Sequence, residues 1–151
     1  MRRGWLLAFV LAGCYSPVTE LITPHVEPGG TLTATIGAGP ALSTKALADG
    51  TSDPMTVNAS SAFLVFGLVV GDDASGTSGT TMVLANQAVR LTVTPTSRAQ
   101  ISVHANGQSC AATSAVVDLR PDSNGHVDGD FDGSGDGCTF SGTLKQIPID
   151  R

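Results

Sequence analysis

The chain has 151 residues, a mass of 15.3 kDa and a formal net charge of −5. Only 14% of its residues are charged, while Gly, Ser and Thr number 18, 14 and 17, which excludes a helical bundle, a coiled coil and a charge-driven nucleic-acid binder. A hydrophobic fraction of 41% excludes wholesale disorder and suits one domain with a real core.

Met1-Arg2-Arg3 is a short basic start, and Trp5 to Ala12 is an unbroken apolar run. A bilayer span needs about 20 residues, so this run reads as a secretion signal. Leu11-Ala12-Gly13-Cys14 follows, and this tetrapeptide resembles the lipobox of bacterial lipoproteins. The resemblance implies a diacylglycerol on the Cys14 sulfur, cleavage before Cys14 and acylation of the new N-terminus. It places the domain outside the cytoplasm, anchored in a membrane. Tyr15, where inner-membrane lipoproteins carry Asp, implies the outer membrane. One acyl chain holds a protein reversibly, whereas two or three hold it firmly. Cleavage removes Arg2 and Arg3 and no acid, leaving six basic and thirteen acidic residues, net −7. An anionic membrane surface repels such a domain, so the anchor has to hold it there.

Residues 1–13 are thus a signal segment, and residues 14–30 an extended tether with Pro17, Pro24, Pro28 and a Gly-Gly pair. Within it, Val18, Leu21 and Ile22 are able to dock on the domain as an edge segment. From Thr31 the chain alternates in the two-residue period of half-buried strands. Leu32, Ala34 and Ile36 share one face. Pro40 to Asp49 is the one helix candidate, with Ala41, Leu42, Ala46 and Leu47 on a face and Gly50 as its stop. Ala62 to Val70 is continuously apolar, the pattern of a strand buried on both faces. Gly71 to Gly79 reads as a mobile polar loop, and Thr80 to Leu84 as a strand. Further strands follow around Val89–Val93, Ile101–Val103, Ala115–Leu119, Val127–Phe131 and Cys138–Leu144. The last two form a hairpin joined by Asp132 to Gly137. About eight short strands predict an all-β domain over residues 31–151, an antiparallel β-sandwich of Ig-like or jelly-roll-like type. Its opening strand and closing hairpin, TATIG and GDFDG…FSGTL, are similar to those of small uncharacterised bacterial lipoproteins.

With Cys14 lipidated, Cys110 and Cys138 remain, and an exported compartment permits one disulfide between them. A zinc site is disfavoured, because four ligands are needed and only His104 and His126 lie near.

The sharpest chemical motif is Asp128-Gly-Asp130-Phe-Asp132-Gly133-Ser-Gly-Asp136. Acids at positions one, three, five and nine with Gly at six match the first half of an EF-hand calcium loop. Position twelve is Thr139, where a bidentate acid belongs. The competing reading is a β-hairpin with acids on its wet face, about 7 Å apart per step along that face and too splayed to share an ion. Hydrolysis is poorly served: no G-x-S-x-G elbow occurs, serines are too abundant to inform, and His126 sits among acids as an exposed surface histidine. Few aromatics remain after the signal, which disfavours a sugar-stacking face. The sequence therefore predicts a lipid-anchored, non-catalytic envelope domain with a membrane contact through its anchor and no nucleic-acid partner. Calcium binding at the Asp-rich hairpin, with an adhesive or ligand-binding role, is the first alternative. An exported hydrolase is the second.

Overall fold

A computed structural model describes residues 29–151. The signal segment, Cys14 and the tether up to Pro28 lie outside the described residues. The alternation seen in the sequence becomes ten strands: β1 (Gly30–Ile36), β2 (Leu42–Asp49), β3 (Met55–Ser60), β4 (Leu64–Val70), β5 (Val89–Val93), β6 (Gln100–Ala105), β7 (Gln108–Ala111), β8 (Ser114–Pro121), β9 (His126–Gly135) and β10 (Cys138–Asp150). One short helix, α1 (Gly79–Leu84), connects β4 to β5.

The domain is all-β and almost wholly antiparallel, as the composition predicts. The strands number ten, not about eight. They form one continuous sheet in the order β5-β8-β9-β10-β1-β2-β3-β4-β6-β7, curled into a half-barrel. The two layers that pack on each other are halves of this one sheet. Phe66 of β4 meets Phe131 of β9 across the interior at 5.0 Å between ring centroids, and Phe140 lies 6.2 Å from Phe131. Leu32, Met55, Leu68, Leu91, Leu119 and Ile147 fill the same core and are fully buried.

At one end of the curl the edge strand β7 meets the β9–β10 hairpin on the other side of the sheet. Cys110 of β7 is joined to Cys138 at the start of β10, with a Cα–Cα distance of 5.8 Å. Beside them the Thr113 N–H donates to the Ser134 carbonyl at 2.8 Å. Gly135 allows the close approach, because a Cβ there would stand 2.1 Å from the Ala111 carbonyl oxygen. The expected disulfide is therefore the clasp of the half-barrel.

Elsewhere the chain departs from expectation in informative ways. Leu42–Asp49 is a strand, not a helix: Ala46 and Ala48 point inward while Lys45 and Leu47 point outward. A helix would have put Ala46 and Leu47 together; pairing with β1 and β3 puts them on opposite faces. Thr80–Leu84 belongs to a helix, not a strand. The chain must cross there from β4 to β5 at the far edge of the sheet, and α1 plugs Val83 into the core on the way. The apolar run through β4 is buried on one face only. Leu64, Phe66, Leu68 and Val70 point in, while Val65 is 45% exposed and Phe63, just before the strand, is 68% exposed.

The closing hairpin is longer than its predicted turn allows. β9 and β10 pair from Gly135↔Cys138 onward, leaving only Asp136 and Gly137 as the turn. Phenylalanines and glycines alternate across it, with Phe131 opposite Gly142 and Gly133 opposite Phe140. Each ring lies over a missing side chain: a Cβ on Gly142 would stand 2.3 Å from Phe131, and one on Gly133 would stand 2.6 Å from Phe140. Further along, the register slips at a bulge between Leu144 and Ile147, where Gln146 has φ +51°. The bulge swings the end of β10 over, so Ile149 and Asp150 pair in parallel with Ala48 and Asp49 of β2.

Candidate functional site

The acidic residues of the closing hairpin form a row rather than a ring. Asp128, Asp130 and Asp132 alternate along β9 on the outer face, as strand geometry requires. Each has a separate setting. Asp128 Oδ1 accepts the Gln146 backbone N–H at 2.6 Å, which ties down the bulge. Asp130 pairs with Arg120, Oδ2 to Nη2 at 2.7 Å. Asp132 borders a shallow depression with Ser114, Val116 and Ser141. Asp136 sits in the turn, beside a different depression next to Cys138. Among the described residues, no three His, Cys, Asp or Glu side chains gather in a metal-holding group.

The same outer face carries two of the Arg–Asp pairs found among the described residues. Arg90 of β5 grips Asp118 of β8 with two hydrogen bonds, Nε to Oδ1 at 2.8 Å and Nη2 to Oδ2 at 2.7 Å. The Arg90 guanidinium thereby holds the Asp118 carboxyl below its ordinary range. Arg90, Asp118 and Asp130 lie opposite one another across three strands, and Arg120 lies opposite Asp128. Asp118 and Asp130 are thus like charges on neighbouring strands, and Arg90 and Arg120 offset them at modest gain, since exposed pairs contribute only about 0–1 kcal/mol.

The histidines are placed separately. His104 of β6 and Ser109 of β7 are cross-strand neighbours, with Nδ1 2.6 Å from Oγ, and both are exposed. No carboxylate completes the pair among the described residues; the one His–carboxylate contact there is His126 Nδ1 to Asp122 Oδ1, at 3.7 Å. His126 is half-buried, not the exposed histidine expected, and its Nδ1 is buried without a hydrogen-bond partner. Asp122 Oδ1 instead accepts the backbone N–H groups of His126 and Asn124, and the first of these is the main reason its carboxyl is depressed. Neither histidine sits with a serine and a carboxylate in one pocket.

Two features escaped the sequence reading. The first is Asp73, 7% exposed in a loop expected to be mobile. Its Oδ1 accepts the Ser75 N–H, the Ser75 hydroxyl and the Thr77 N–H, and its Oδ2 accepts the Thr92 N–H of β5. Burial pushes its pKa up, but the bonds from Ser75, Thr92 and Thr77 outweigh burial and hold it down at about 2. The Ala74 N–H also donates to the Thr92 carbonyl, so the loop covers the free edge of β5 and blocks strand addition there. The Asp-x-Ser-x-Thr spacing with Gly76 behind it is the sequence signal for this turn.

The second is a groove of about 790 Å³ on the outer side of β2, β3 and β4, bordered by Lys45, Leu47, Asn58, Val65 and Pro148. Gly29, the first described residue, lies on its rim, and its carbonyl accepts a hydrogen bond from Lys45 Nζ at 2.9 Å. Leu47 is 48% exposed. The signal was present in the apolar residues at outward positions of β2 and β4.

No protein-family model, curated protein or solved structure matches this chain.

Proposed function

We propose that this is a lipid-anchored domain of the bacterial cell envelope, held through acylated Cys14 and serving a structural or interaction role without catalysis. The observation that carries the reading is the division of the three cysteines. Cys110 and Cys138 pair with each other, which suits an oxidising compartment, and Cys14 alone stands at the end of Leu11-Ala12-Gly13. A net-acidic, clasped β-domain that bears no gathered catalytic or metal-binding side chains among its described residues fits an extracytoplasmic module. The packing of Phe66 on Phe131 across the interior supports grouping the folded sheet with sandwich-like antiparallel domains. The outer membrane is the proposed site, on the strength of Tyr15 after Cys14.

Fractionation and metabolic acyl labelling test the anchor. The wild-type chain is expected to take up a labelled fatty acid and sediment with membranes, and Cys14→Ser to lose the label and become soluble. Equal behaviour of the two chains would reject the proposal. The exposed His104–Ser109 contact supplies neither a third catalytic partner nor an enclosed pocket, so hydrolysis is not advanced as a second reading.

A further inference from the structure

We infer that the outer face of β1, β2, β3, β4 and β6, centred on the groove, is the surface that rests against the lipid bilayer, with the acidic β8–β9 face turned away. The inference rests on the proposed acylation of Cys14 and adds the orientation of the anchored domain.

Three observations converge on it. The first is the partition of charge. At the outward positions of β1, β2, β3, β4, β6 and β7, the only charged residues are Lys45 and Asp49, with Asp150 of β10 also lining the groove; the rest are Thr, Ser, Asn, Gln, Gly, Ala, Val, Leu and a histidine. The outward positions of β8 and β9 instead carry four acids, Asp118, Asp128, Asp130 and Asp132, against the single Arg120. An anionic surface repels the second face more than the first, so the first approaches it at the smaller cost.

The second observation is the placement of exposed apolar side chains. Among the described residues, three of the four large exposed hydrophobics, Leu47, Phe63 and Val65, lie on the neutral side. Phe63 and Val65 are two residues apart on the same side of the β4 line, and Leu47 stands two strands away, opposite Asn58 and, beyond it, Gly67. Leu47 and Val65 line one groove together with Asn58 and Lys45. Apolar side chains beside a lysine are the makeup of an interfacial contact: the first enter the headgroup boundary and the second meets phosphate.

The third observation is where the chain enters. Gly29 lies on the rim of this groove. Ile149 and Asp150 occupy the place beside β2 into which β1 would otherwise extend backward, so the segment from the anchor joins the domain at this side. Fifteen peptide steps separate Cys14 from Gly29, a reach of at most about 50 Å. A tether of that reach keeps the domain beside the membrane, and unequal repulsion of its faces then sets which one turns toward it.

Tryptophan fluorescence tests the orientation. The only Trp, Trp5, precedes the expected cleavage, so the mature chain offers a blank background. Phe63→Trp and Leu47→Trp report on the neutral face, and Val116→Trp, opposite Asp132, on the acidic one. Each mature chain is coupled through the Cys14 thiol to a maleimide lipid in phosphatidylethanolamine–phosphatidylglycerol vesicles with brominated acyl chains. The neutral-face reporters are expected to lose emission and shift to the blue, while Val116→Trp keeps its spectrum. Quenching of Val116→Trp alone, equal quenching of all three, or none at all would overturn the orientation; the last is the result expected if a protein partner covers this face. Because the anchor is attached chemically, the outcome does not depend on native acylation, which the intact mass of the cellular protein reports separately.

Discussion

Asp73 shows how one carboxylate settles a whole loop. Four donors converge on it, and truncation to Ala leaves the Thr92 and Thr77 N–H groups without their acceptor. Loss of such buried bonds costs about 1–3 kcal/mol, so Asp73→Ala is expected to melt several degrees lower than wild type. The pH dependence follows from the direction of its shift. A carboxyl held near 2 in the folded chain, against an ordinary 3.8, stabilises the fold fully above its unfolded value and ceases to do so as pH falls through its folded value. The melting-temperature gap between wild type and Asp73→Asn should therefore be widest above about pH 4 and close toward pH 2. A gap independent of pH would remove the charge from the explanation. Gly142 is a second point of this kind. A Cβ there would stand 2.2 Å from the Thr33 carbonyl oxygen as well as against Phe131, so Gly142→Ala is expected to destabilise by on the order of 1–3 kcal/mol, read by denaturant unfolding. An unchanged midpoint would show that the sheet relaxes around it.

The acids of β9 make the corresponding negative case. Their positions on one strand face separate them, and Asp128 and Asp130 are already engaged by the Gln146 N–H and by Arg120. Millimolar calcium is accordingly expected to leave the melting temperature where EDTA leaves it. A rise with calcium that Asp132→Asn abolishes would mean that the row can gather around an ion.

At the scale of elements, the strands with strict alternation and large inner side chains were legible in the sequence: β1, β5, β6, β8, β9 and β10. Three others were not recognised. β2 was misread because its inner residues are alanines, and over eight residues Leu42, Ala46 and Leu47 fit a helical period as well as a strand's. β3 alternates cleanly, with Met55, Val57 and Ala59 inside, but lies between polar turns that masked it. β7 was announced by Asn106-Gly107, whose residues both have positive φ, at +50° and +79°, as a tight hairpin turn requires. Strand order was beyond reach, because β1 pairs with β10 and β5 with β8 across long stretches of chain, and only the whole interior selects those partners. Of the groove only the outward apolar residues were legible, because Leu47 and Val65 line one groove with Pro148 only once the bulge at Gln146 redirects β10.

The clasp belongs to this scale too. The disulfide ties the four-residue edge strand β7 to β10 across a sequence separation of 28, and closing a loop of that size stabilises by roughly 3–4 kcal/mol in the chain-entropy view. Cys110→Ser with Cys138→Ser is expected to lose about that much. Amide exchange should speed up first over Gln108–Ala111, while β1 and β9 stay protected. Simultaneous loss across all strands would show that the clasp holds the whole sheet rather than its edge.

At the scale of the molecule, low overall charge and local acidity are two sides of one arrangement. Six of the thirteen acids fall between Asp118 and Asp136, and the folded sheet gathers most of them on or beside the β8–β9 face. The Ser and Thr excess covers the opposite face, where Leu47, Phe63 and Val65 stand exposed and the acids near the groove, Asp49 and Asp150, are fewer and are accompanied by Lys45. This division, a clasp of two cysteines and a third cysteine after Leu11-Ala12-Gly13 support the proposal of a domain held at a membrane by its N-terminus. The most direct measurement is the intact mass of the protein extracted with detergent from its native envelope. The expected result is a chain beginning at Cys14, heavier by a diacylglyceryl group and N-acyl chain and lighter by the two hydrogens of the Cys110–Cys138 bond. A chain that still begins at Met1, or one with Cys14 unmodified, would contradict it.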